Sequence, residues 1–194
     1  MFFVNVSFRI SHPRVAKMRH NGQGGCAIKA GRFWVEFIID SLIIGIGATA
    51  LMDLWAVALH RFAGQPAPSW GMGGRWFAHV ARGHVWHDDI GQAAAIPNES
   101  AIGWVGHYAV GVVYAAALLA IWGMGWAHNP TLAPALIVGL VTISAGWFFM
   151  GPGMGGGIAA ARADQPWRTR GMGLLAHGVF GLGLYLTAWL THGL

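Results

Sequence analysis

The sequence predicts an all-α integral membrane protein, a four-helix bundle with a short interfacial helix in its first long loop. Three observations predict it. Hydrophobic residues make up 55% of the 194-residue chain and charged residues only 10%, whereas a soluble domain carries about a quarter charged residues. Four apolar stretches each run for roughly 20 residues, the length that crosses a hydrocarbon core about 30 Å thick. Thirty glycines and eleven tryptophans suit the close helix contacts and interfacial aromatic belts of membrane bundles.

Residues 1–33 are basic and lack an apolar period, so they read as a disordered tail. An upstream start is the other reading, with translation beginning near Met18 or Val35. Residues 34–194 then form one transmembrane domain. Its first span covers about 37–59 and its second about 101–122, with the third near 131–150 and the fourth near 172–191. Pro130 stands at the start of the third span, where a missing N–H is harmless, and Pro152 follows its end. Gly45, Gly47, Gly103, Gly106, Gly111, Gly178, Gly181 and Gly183 supply small surfaces on three spans. In the loop 61–101, helical spacing from Arg75 to Arg82 gathers Arg75, His79 and Arg82 opposite Trp76, Phe77 and Val80. That pattern predicts a short helix lying in the membrane interface.

Four spans place the loops 61–101 and 151–171 on one face. Arg61, Arg75, Arg82, Arg162, Arg168 and Arg170 lie there, and without the tail the opposite face has no Lys or Arg. The positive-inside bias therefore puts the long loops in the cytoplasm. The expected location is a bacterial inner membrane, multi-pass, with the bilayer and its anionic headgroups as partners. A homo-oligomer is compatible with the sequence. The net charge of +5 follows this topology rather than a nucleic-acid footprint. Cys26 is the only cysteine, which excludes an internal disulfide. No apolar core precedes Gly24-Gly25-Cys26, so no cleaved signal peptide is expected.

Three ionisable residues interrupt the apolar spans: Asp53, His107 and His177. Each lies about six residues from the same end of its span, roughly 9 Å below one membrane face at about 1.5 Å per residue. Such groups are costly in lipid and usually face the bundle interior. Imidazoles with a carboxylate suit a divalent metal such as Zn, Fe or Mn, a small ligand, or a proton relay. Ser144 stands at a similar depth and is expected to complete a polar ring. Each residue also has a plain structural reading, as a hydrogen-bonding group between helices. Haem held by His107 and His177 is the weaker cofactor reading, since no Cys-x-x-Cys-His motif is present. A second set, Arg75, His79, His84, His87 and Glu99 with Asp88 and Asp89, occupies the first long loop. On a continuing helix His84 and Asp88 would chelate together. Gly151 to Gly157 lacks the Lys-Ser/Thr of a phosphate loop and reads as a flexible turn.

Four stretches carry a family resemblance: Ala48 to Trp55, Gly74 to His79, Gly103 to Tyr108, and His177 to Tyr185. In order and spacing the chain from about Val35 onward resembles the bacterial membrane family called domain of unknown function 2938. The resemblance implies a multi-pass membrane protein and carries over no activity, cofactor or site residue. Two classes of function follow from the residues. One is a one-sided intramembrane site that binds a metal or small ligand or relays protons. The other is a membrane-embedded enzyme acting on a lipid or quinone at the cytoplasmic interface, with a structural protein as the remaining option. The far half of the bundle offers only Glu36 and Asp40, which argues against a conduit across its whole depth.

Overall fold

The computed structural model describes residues 22–191, with side chains from residue 31 onward. The chain divides into two compact units, residues 1–34 and 35–194. In the first, the described residues from Gly22 are helical, and the Phe33 and Trp34 rings meet edge to face at 5.3 Å. Residues 22–33 are thus part of a helix. A helix already begun extends at little cost per residue and needs no amphipathic period of its own. The expectation for residues 1–21 falls outside the described residues.

The helices are α1 (Gly22–Ala63), α2 (Gly71–Val80), α3 (Glu99–Trp122), the short α4 (Met124–His128), α5 (Leu132–Ala145), α6 (Gly151–Gly153) and α7 (Pro166–Thr191). Four stretches are long and apolar enough to cross a membrane: Gly31–Ala63, Glu99–Trp122, Leu132–Gly153 and Pro166–Thr191. Among the described residues the fold is all-helical, as expected. Leu54, Val105, Val141 and Leu190 are exposed along the spans, the surface a bilayer would cover. The inner layer holds Ile44, Ala48, Leu118, Leu119, Phe180 and Leu184, all buried.

Glycine sets the spacing of the spans. A Cβ on Gly45 would meet the backbone of Gly111 and Val112, and one on Gly139 the backbone of Gly181. A Cβ on Gly183 would meet Ala48. With no hydrophobic drive between helices in lipid, such approach is the main source of packing energy. Gly178, expected to join this set, has open space at its Cβ position.

The third span is not a uniform helix. Between α5 and α6, Gly146–Met150 forms a π turn, in which the Gly151 N–H reaches back to the Gly146 carbonyl. Pro152 has no N–H to give and its ring crowds the preceding turn, which widens in response. The two long loops touch, because the N–H of His87 donates to the Gly153 carbonyl at 2.9 Å and that of Ile90 to Met154 at 3.1 Å. They therefore share one end of the bundle, as four spans require.

Gly139→Ala should lower stability in detergent by about 1–3 kcal/mol, since the added methyl strikes backbone. Gly178→Ala should be neutral or raise it by up to about 1 kcal/mol through helix propensity. Thermal unfolding of the two variants side by side measures the difference.

Candidate functional site

The site begins on α1. Asp53 follows Thr49 by one turn, and the Thr49 hydroxyl donates to the Gly45 carbonyl at 2.8 Å. Gly111 of α3 packs against that hydroxyl, which holds α1 and α3 close enough for their polar groups to meet. One turn earlier on α3, His107 Nε2 lies 3.1 Å from Asp53 Oδ1. His107 is 7% exposed. Its ring is enclosed by aromatic neighbours: Trp70 stacks on it at 4.1 Å and 21°, while Trp104 and Tyr108 present edges at 6.0 and 5.6 Å. Asp53 Oδ2 is buried and lies outside the imidazole contact, with the Tyr108 hydroxyl as the polar group beside the carboxyl. A buried carboxylate oxygen is costly unless a proton or a hydrogen-bond donor reaches it.

Behind this pair lies a cavity of about 480 Å³. His107 and His177 both line it, and Asp53 stands outside its wall. The rest of the wall is largely apolar and aromatic, with Trp70, Trp76, Phe77, Tyr114, Phe149 and Phe180 prominent. His177 Nδ1 donates to the Gly173 carbonyl at 3.0 Å. Thr142 is the hydroxyl on the third span that faces the cavity, and it donates to the Gly139 carbonyl at 2.7 Å. Ser144 does not complete the ring: it is exposed on another side of the helix. Two residues along a helix turn the side chain by about 200°, which depth alone does not reveal.

The metal reading fares differently. Among the described residues, no group of three or more His, Cys, Asp or Glu is placed to hold a metal ion. Asp53, His107 and His177 therefore come together as a hydrogen-bonded pair and a third residue sharing a cavity with one member, not as a ligand set. Haem ligation through His107 Nε2 would break the Asp53 contact, because that nitrogen faces the carboxylate.

The loop residues divide by role. Arg75 is 8% exposed, and its position on the expected polar, outward face is corrected. Its guanidinium forks onto Glu99, Nε to Oε2 at 2.8 Å and Nη2 to Oε1 at 2.9 Å. Nη1 donates to the carbonyls of Ile90, Gly91 and Ala93. The bonds to Glu99 outweigh burial and hold the Arg75 proton more tightly than usual. Arg75 and Glu99 are thus saturated by one another and by the loop, which marks them as structural. His84 and Asp88 are exposed and share no helix, because α2 ends at Val80 and Gly83 adopts φ +86°. The expected chelating turn is not formed. His79 and His87 contact each other, their ring nitrogens 3.1 Å apart.

Trp70, Thr49 and Thr142 belong to the site and escaped the sequence reading. Trp70 precedes a glycine cluster, Gly71, Gly73 and Gly74, which was the available signal. Pro152 was the signal for the π turn, a feature frequent at functional sites.

Four helices long and apolar enough to cross a membrane, packed around a largely apolar cavity, define a helical protein of the membrane class. The family model described as Protein of unknown function (DUF2938) matches residues 42–191, and the chain belongs to that family. No curated protein and no solved structure matches it.

Asp53 and His107 should be energetically coupled by about 1–3 kcal/mol. His107→Ala, which leaves the carboxylate buried without its imidazole, should destabilise more than Asp53→Asn. A double-mutant cycle in detergent, read by thermal or denaturant unfolding, measures the coupling.

Proposed function

We propose that this protein is a bacterial inner-membrane protein, its long loops in the cytoplasm, that binds a lipid-soluble small molecule in the cavity beside His107 and His177. The observation that carries the reading is the cavity itself. Its volume of about 480 Å³ falls in the range of small-molecule sites, and so does its composition, an apolar wall with a few polar groups.

The free nitrogens suggest the ligand's chemistry. His177 gives its Nδ1 hydrogen to Gly173, so a neutral ring offers Nε2 as an acceptor. His107 directs Nε2 at Asp53, which leaves Nδ1 for a ligand. A flat ring compound bearing a hydroxyl or carbonyl, of the quinol or quinone type, would stack among the aromatic side chains and meet these nitrogens. Asp53 would then orient His107 and stabilise a proton on it, the arrangement that supports proton exchange with a bound hydroxyl. The divalent-metal reading draws no support from the placement of the ligand candidates. Arg61, Arg82, Arg162 and Arg168 are exposed at the loop end and would meet anionic headgroups there.

Gly146 supplies the test, since it lines the cavity and its Cβ position is open. Gly146→Leu should fold and fill the cavity. Native mass spectrometry of protein extracted in mild detergent should show a co-purifying organic molecule in the wild type. Occupancy should fall by about tenfold or more in Gly146→Leu, a loss of at least about 1.4 kcal/mol. Equal occupancy in both proteins would refute the reading.

A further inference from the structure

We propose that His79 and His87 form a proton-binding site, sharing one proton between their rings and thereby latching the first long loop to the end of the third span. The site is separate from the cavity histidines, and the argument rests on hydrogen-bond bookkeeping.

His79 lies in the last turn of α2 and His87 in the loop that follows. Four ring nitrogens make three contacts. His79 Nε2 lies 3.0 Å from the Ala94 carbonyl, and His87 Nδ1 lies 3.1 Å from the Gly153 carbonyl. His79 Nδ1 and His87 Nε2 face each other at 3.1 Å. A carbonyl oxygen only accepts, so each outer nitrogen carries its hydrogen. A neutral imidazole has one N–H. Two neutral rings would then meet lone pair against lone pair. A hydrogen between them requires a third ring proton, and the pair carries one positive charge.

The neighbourhood allows that charge without another group taking over. On α2, Arg75 is committed to Glu99 of α3 and to three loop carbonyls. In the loop, Asp89 Oδ1 accepts from the Gly91 N–H, and Arg82, His84 and Asp88 are exposed. The Gly151–Met154 turn has no titratable side chain, and Arg162 beyond it reaches the Gly155 carbonyl. Peptide carbonyls at both outer nitrogens stabilise the cation.

The latched pair holds three ring protons, whereas two separated neutral rings hold two. By linkage, raising the pH removes the shared proton and favours the open loop. Strong acidification puts hydrogens on both facing nitrogens, and two like charges open it again. Closure therefore peaks between two limits. The consequence reaches the cavity, because Gly153 packs on Trp76, and Trp76 and Phe149 form part of its wall in edge contact at 5.5 Å.

The test uses the full chain, labelled with ¹⁵N-histidine, in nanodiscs. The ring spectrum should show three protonated nitrogens in the pair and a coupling across the N–H···N bond. Amide exchange at His87 and Ile90, corrected for its intrinsic pH dependence, should be slowest at intermediate pH and at least about tenfold faster at either side. His79→Leu should make that exchange fast and flat with pH. Two ring hydrogens in the wild-type pair, or exchange that ignores pH, would overturn the proposal even if the variant does not fold.

Discussion

The docking of α2 against α3 is the constraint on which the functional end of this molecule depends. Gly74 and Gly103 meet backbone to backbone, and a Cβ on either would overlap the main chain of the other helix's segment. That contact seats Trp70 on His107. It also brings Arg75 within reach of Glu99 and turns Trp76 and Phe77 towards the cavity. A helix lying loosely in the interface would do none of this. Trp76 of α2 is thus buried against protein, and the polar side chain the helix buries, Arg75, is fully engaged.

The same economy governs the interior. A polar group inside a bilayer must find its partner within the protein, since lipid offers none. Thr49, Thr142 and His177 satisfy this locally, each donating to a carbonyl of its own helix. Asp53 and His107 satisfy it across two helices. Only a contact between helices ties their separation to chemistry, which is why this pair differs in kind from the others. The second carboxylate oxygen, Asp53 Oδ2, lies buried outside that contact. At the opposite end of the bundle the polar groups are of another sort, with Glu36 meeting His128 at 2.9 Å while both are exposed. Between the two ends, Ser41 is buried and donates to the Phe37 carbonyl of its own helix at 2.7 Å.

Four spans, their lengths and the shared face of the long loops were legible in the sequence. They depend on apolar length and on the number of crossings, which the chain carries residue by residue. That Asp53 meets His107 and that His107 and His177 reach one cavity agrees with their similar positions along their spans, because rise per residue converts position into height. Rotation about each helix was not legible. Ser144 and Thr142 lie at nearly one height, yet Thr142 faces the cavity and Ser144 does not. The spans are apolar around most of their circumference, so no amphipathic stripe marks the inward side.

What the sequence by itself determined is the membrane architecture and the short list of ionisable residues that must face inward. What only the tertiary structure decided is how those residues are grouped. Asp53 pairs with His107 while His177 turns to its own backbone, and Arg75 pairs with Glu99 while His79 turns to His87. Each partnership spans 8 to 54 positions apart from the local bond of His177. Its formation hangs on glycine contacts that leave no room for a methyl group, on a π turn and on loop closure. Those are properties of surfaces fitted against one another, and no single stretch of chain contains them.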